Sequence, residues 1–427
     1  MLAFGCHTSC GIIGLRATAL TSGTSSIKSP EMEIQGICKP GFEAVRDAFE
    51  ANFAEGLEIG AAAAVTVDGE FVVDIWAGNA DTDGTPWQRD TIVNVYSTTK
   101  TMAATCMLML ADRGELDFDA PVAQYWPEFA QNGKDGVLVR HVMAHTAGLP
   151  GFDPPITMEQ LYDLDAVAAN LAAQAPWWEP GTASGYHAVS QGQLQSEILY
   201  RITGRRMADW FRAEVAEPLG ADFWISLPAS EDHRVAALQP PVFSGDKLTI
   251  NGVEVSADSI AVKALASCPM TATEPATREW RAAEIPAAGG FGNARSVARV
   301  HAALAYGGAV DGVRLMSEAS VRQALEEHTD SIDKVLMVRM RHGLGFGFQL
   351  GTIRVGPGQM FWSGWGGSFA AIDFDRRMSS AYVMNRMDSD LMGDIRRRRI
   401  AEAVQACLSS PPSPRRCPRS RGRARPR

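Results

Sequence analysis

Two strand-like runs, Ala61–Val67 and Glu70–Trp76, meet at Asp68-Gly69, a dipeptide suited to the left-handed conformations of a two-residue hairpin turn. No other local element is as definite. Near the far end of the chain, Gly345–Leu350, Ser368–Phe374 and Ser379–Asn385 alternate or cluster as strands, the last two joined through Asp375-Arg376-Arg377. The intervening sequence is mainly helical. Phe42, Val45, Phe49 and Phe53 mark an amphipathic helix over Gly41–Phe53, and further helices are predicted over Val139–Ala144, Met158–Ala175, Val189–Arg201, Met207–Glu217 and Ser296–Tyr306. Strands at both ends with helices between them predict an α+β fold: one antiparallel sheet built from the N- and C-terminal parts, flanked by helices, with an inserted mainly helical domain. The corresponding division is a discontinuous sheet domain, 36–85 with 287–408, and a helical domain, 86–286. Its irregular segment at about 242–286, with a hairpin-like Leu248–Val255, is expected to be a lid or pocket wall.

Both ends fall outside this scheme. Residues 1–35 lack a basic segment followed by a sustained apolar run, so they make a poor secretory signal, and Met32 is an alternative start. Residues 409–427 are rich in proline and arginine and cannot form a core, so both ends are expected to be disordered tails. Seven of the arginines lie in that last tail, which makes the body of the chain more acidic than the formal charge of −9. An acidic body argues against nucleic acid as partner. The seven cysteines show no Cys-x-x-Cys pair, which suggests neither a disulfide framework nor a zinc site, and no uncharged run has the length of a membrane span. A cytoplasmic protein with reduced thiols is the expectation. A final helix over Gly393–Cys407 carries Arg396 to Arg399, expected to be a solvated face paired with acidic neighbours.

Ser97-Thr98-Thr99-Lys100 runs into the apolar stretch Met102–Leu110 and a helix stop at Arg113-Gly114. If that stretch is helical from Ser97, Ser97 and Lys100 share a face, and the free N–H groups and positive dipole at the helix start favour negative charge at Ser97. Ser-x-x-Lys recurs at Ser25–Lys28, Ser244–Lys247 and Ser331–Lys334, but only Ser97 is followed by such an apolar helix. A serine that merely caps a buried helix, its lysine reaching solvent, is the alternative. Tyr186, in the polar turn Gly185-Tyr186-His187, could share a proton transfer or simply pack. The chain has no Gly-x-Ser-x-Gly elbow, so His145 is expected to be structural, hydrogen-bonded within its turn, and His187 to line a pocket or satisfy a polar neighbour.

The order Ser97-x-x-Lys100, then His145-Thr146-Ala147-Gly148-Leu149-Pro150, then Tyr186, then Trp365-Gly366-Gly367-Ser368 resembles the serine β-lactamase and penicillin-binding-protein superfamily. More closely it resembles the class C β-lactamase-like family VIII carboxylesterases, over roughly Gly41 to Cys407. The resemblance implies that Ser97 is the acylated nucleophile, with Lys100 and Tyr186 as its proton-transfer partners. It places Trp365-Gly366-Gly367 at the strand motif that binds substrate, and assigns the oxyanion hole to the backbone N–H groups of Ser97 and Ser368. No metal or organic cofactor is required.

Two departures bear on substrate. Trp365 stands where the family's β-lactamases have a carboxylate-binding lysine, and Ala188 where their Tyr-x-Asn pattern has an asparagine. Both changes make the site more apolar, which favours uncharged, short-chain carboxylic esters as the small-molecule substrate. A β-lactamase or D-alanyl peptidase, an acyltransferase and a non-catalytic scaffold are the alternatives. Membrane partners are not expected, and oligomeric state is left open.

Overall fold

The computed structural model describes residues 33–241, 249–389 and 394–409. The expected tails, apart from their innermost residues, lie outside this range, as do Ser25–Lys28, Ser244–Lys247 and the first part of the expected lid. From Glu33 onward the described chain forms one contact-continuous unit.

Its centre is an antiparallel sheet running Gln35–Cys38, Glu70–Gly78, Gly60–Val67, Met378–Met384, Phe369–Asp373, Gln359–Ser363, Gly347–Leu350, Arg339–His342 and Thr329–Ile332. N- and C-terminal strands join where Gly60–Val67 pairs with Met378–Met384, Ala63 opposite Tyr382. Both of these strands are buried almost throughout, so helices must cover both sheet faces. Ala294–Ala305 lies along Gly60–Val67 and Met378–Met384, while Glu43–Ala54 and Ile395–Ser409 pack on each other and on the sheet. The alanine run of Gly60–Val67 presents small side chains where these layers meet.

The hairpin at Asp68-Gly69 forms as expected, both residues at positive φ. Of these nine strands, four escape the periodicity reading, Gln35–Cys38, Thr329–Ile332, Arg339–His342 and Gln359–Ser363. The expected helix over Met158–Ala175 is two helices, because Asp163 turns out of helical conformation and caps the second through Asp165 and Ala166 N–H. The arginine run is also corrected. Arg396 and Arg397 are buried, and Arg396 binds Asp394 and Glu58 in the interior. Arg398 and Arg399 do pair with acidic neighbours, Glu402 and Glu55. Among the described residues no helix is long and apolar enough to cross a membrane.

Candidate active site

The helix Thr99–Asp112 is apolar on every side and buried from Thr99 to Leu110. Ser97 does not sit in its first α-turn. It lies in a 3₁₀ turn, Tyr96–Thr98, that leads into the helix, with Tyr96 held at φ +43°. A bulky residue at positive φ is strained and persists only where its surroundings fix it. Here they do: Val95 N–H donates to Gly290 O, Asn94 Nδ2 to Ala288 O and Gly290 O, and Gly290 N–H to Thr99 Oγ1.

Lys100 is 1% exposed, and its Nζ has three neighbours: Ala188 O at 2.7 Å, Ala287 O at 2.9 Å and Ser97 Oγ at 3.2 Å. Burial lowers its pKa well below the ordinary lysine range. A neutral amine has two N–H donors and one lone pair. Two carbonyls, which can only accept, take the N–H groups; the hydroxyl, which can donate, faces the lone pair. Tyr186 closes the group by donating its O–H to Ser97 Oγ at 2.7 Å, and Nζ lies 4.8 Å from the centroid of its ring. Burial pushes the Tyr186 phenol up to about 12, so it stays protonated. The structure thus brings together three residues that lie up to 89 positions apart.

The 364–368 turn reaches the same place from the sheet. A Cβ on Gly364 would stand 2.1 Å from Val95 O. Ser368 Oγ donates to Val95 O at 2.8 Å and lies 2.9 Å from Thr98 Oγ1. The expected substrate-binding residues separate here. Trp365 lines the cavity, its ring 5.2 Å from that of Tyr96. Gly366 and Gly367 instead point into the protein at φ +94° and +127°. A Cβ on Gly366 would meet Met387, and one on Gly367 would stand 2.2 Å from Asp394 Oδ2. Their absent side chains serve the turn and its packing. Ser368 is buried behind the wall.

Of the two roles expected for His187 the structure shows the second, and it gives His145 a partner outside its turn. His187 is fully buried and is not on the wall of the cavity beside Ser97; its Nε2 accepts from Leu149 N–H, and its Nδ1 lies 2.6 Å from Gly185 O. His145 bonds beyond its own turn, Nδ1 accepting from His187 N–H at 3.1 Å. With Trp362 and His342 they pack behind Tyr186.

Ser97 and Tyr186 open onto a cavity of about 1030 Å³ whose wall includes Ala188, Leu265, Met270, Leu336, Val338 and Trp365. Thr249–Gly252, the tip of the hairpin in the expected lid segment, forms part of that wall. Its composition showed a hairpin, but nothing local showed what the hairpin would cover. Arg339 is also on the wall, with its guanidinium bound at 2.7 Å to both oxygens of Asp330. The cavity therefore combines apolar walls with a hydroxyl that has a buried proton acceptor and a protonated phenol beside it. That arrangement can perform nucleophilic attack on an acyl carbon.

Fold and site together define the class of proteins with an active-site serine and a Ser-x-x-Lys helix. Residues 48–405 match the Beta-lactamase family, and the chain belongs to it, within the serine β-lactamase and penicillin-binding-protein superfamily. The esterase/beta-lactamase LipL of Mycobacterium tuberculosis is 36% identical over 382 residues, covering 84% of each chain. Among solved structures, a family VIII carboxylesterase shares 44% identity at a TM-score of 0.82, covering 88% of this chain and all of the other. A penicillin-binding-protein homologue from Caulobacter crescentus shares 42% identity at a TM-score of 0.81, with the same coverage.

Proposed function

We propose that this protein is a serine carboxylesterase that cleaves uncharged, short-chain esters through an acyl-enzyme on Ser97. The observation that carries the reading is the pair of contacts on Ser97 Oγ, Lys100 Nζ at 3.2 Å and Tyr186 O–H at 2.7 Å, at the wall of an apolar cavity. Neutral Lys100 takes the Ser97 proton as Oγ bonds to the ester carbonyl carbon. The negative charge that develops on the carbonyl oxygen is met by the main-chain N–H groups of Ser97 and Ser368, the latter in the turn that presents Trp365 to the cavity. When the ester C–O bond breaks, Tyr186 gives its proton to the departing alcohol, and Lys100 restores it. Water then repeats the sequence on the acyl-enzyme.

The substrate preference follows from charge. Lys100 is neutral by burial, Arg339 is already paired with Asp330, and Trp365 and Ala188 supply no partner for a carboxylate. The names of LipL and of the structurally similar carboxylesterase agree with an ester substrate. The division into a sheet domain and a helical domain belongs to the same reading, with the cavity wall drawn from both. A cytoplasmic location fits the free thiols of Cys38, Cys106, Cys268 and Cys407.

Turnover of nitrophenyl butyrate, set beside that of a cephalosporin, tests the proposal. Wild type should prefer the ester; Ser97→Ala should lose about 10³-fold or more in kcat/KM, and Tyr186→Phe about 10²-fold or more. Retained ester turnover in Ser97→Ala, or faster cephalosporin turnover in wild type, would contradict it.

A further inference from the structure

Asp333 lies within the Ser331–Lys334 stretch and outside the reacting group, yet it is 0% exposed. Its four hydrogen-bond donors are all neutral. Oδ1 accepts from the N–H groups of Tyr186 at 2.9 Å, Val335 at 2.9 Å and Leu336 at 2.8 Å, and Oδ2 accepts from the Ser184 hydroxyl at 2.6 Å. A buried carboxylate is costly unless such donors satisfy it. Two of the four come from the segment that bears the catalytic tyrosine, and Lys334 N–H adds a bond to Ser184 O at 2.9 Å. The 184–186 segment is thereby fixed to the 333–338 loop, while the Tyr186 side chain points away from this knot to Ser97.

We propose that Asp333 is the positioning residue of Tyr186: by holding the tyrosine's main-chain N–H and the neighbouring Ser184, it fixes the base of the side chain so that the phenol meets Ser97. The proposal rests on the reading of Tyr186 as the proton-transfer group. A hydrogen bond of 2.7 Å leaves little room for displacement, and a misplacement of about 1 Å in a reacting group can cost roughly 10²-fold in rate.

A double-mutant cycle on nitrophenyl butyrate tests this, with melting temperatures confirming that each variant is folded. Asp333→Asn keeps the side-chain volume but replaces one acceptor oxygen with a donor, and should lower kcat by about 10- to 100-fold. In a Tyr186→Phe background the same change should cost no more than about twofold, since the group it positions is gone. Ser184→Ala, which removes a single contact, supplies a second variant if Asp333→Asn does not fold. Its loss should be about three- to tenfold and should likewise vanish without the phenol. Full activity of Asp333→Asn, or an undiminished loss in the Tyr186→Phe background, overturns the proposal alone; if Asp333→Asn does not fold, the same two results for Ser184→Ala do so. Wild-type activity of Tyr186→Phe overturns the catalytic reading and the proposal with it.

Discussion

For the proposed reaction, the question at Lys100 is one of protonation. An ammonium in this position cannot accept the Ser97 proton, and two carbonyl neighbours alone would favour keeping it charged. Burial works the other way and dominates, lowering the pKa well below the ordinary value of 10.5. In the proposed mechanism the neutral amine is the active form, so kcat/KM should rise with pH through this lowered pKa and be fully developed before an exposed lysine would titrate. The Tyr186 phenol, pushed up to about 12, should impose no alkaline loss near neutrality. A pH–rate profile checks this: an acid limb near pH 10, where an unperturbed lysine titrates at about 10.4, would count against it. Lys100→Arg keeps the charge but cannot give up its proton, so its activity should fall by about 10²-fold or more at every pH tested.

The 364–368 turn, at the scale of elements, depends on the C-terminal helix. Arg396 donates to Gly366 O at 2.8 Å and to Arg386 O at 2.7 Å, and binds Asp394 at 2.9 Å. Burial opposes its charge, but Glu58 and Asp394 more than offset that and hold the guanidinium above its ordinary range. Burial also pushes the Glu58 carboxyl up to about 8, and Arg396 beside it works against that rise. Removing the arginine leaves the buried Asp394 and Glu58 carboxyl groups without their cationic partner. Arg396→Met should therefore destabilise the fold by about 3–5 kcal/mol in denaturant titration. It should also loosen the turn that presents Trp365, so esterase activity should fall in the fraction that remains folded. A variant of wild-type stability would show that the cluster is not holding the turn.

On the scale of the whole molecule, a layer of buried histidines joins the helical part to the sheet. His145, His187 and His342 lie behind Tyr186, with ring centroids 4.9 Å apart for His145 and His342 and 5.6 Å for His145 and His187. Burial lowers all three, His187 and His342 to about 3 and His145 well below 6.5. All are neutral in folded and unfolded chains above pH 6.5, so they impose no cost there. As pH falls below 6.5 the unfolded chain takes up protons that the folded one refuses, and stability declines until the folded pKa values are reached. Each residue contributes roughly 1.4 kcal/mol per pH unit in that window. The melting temperature should accordingly drop steeply between pH 6.5 and pH 4, and His342→Gln should flatten the slope; a melting temperature constant over that interval would refute the assignment.

Local pattern made much of this protein legible. The Asp68-Gly69 hairpin, the fully apolar helix behind Ser97 and the strands at both ends follow from turn chemistry and periodicity, which act between near neighbours in the chain. Ser97, Lys100 and Tyr186 were legible because their order and spacing match a known family pattern. The four strands missed by periodicity owe their pairing to the sheet around them. The same limit explains the arginine run, the two motif glycines and the histidines. Whether Arg396 meets solvent or Asp394, whether Gly366 faces a ligand or Met387, and whether His187 lines the cavity or caps Leu149 N–H are settled by segments far away in sequence. Asp333 is the extreme case, an ordinary acidic residue by sequence whose four donors converge only on folding. By itself, then, the sequence determined most of the elements, because turn chemistry and periodicity act locally, and it pointed to the candidate reactive groups through their match to a family pattern. Tertiary structure alone decided what is buried, what is neutral and what faces the cavity, because burial and electrostatics depend on distance in space.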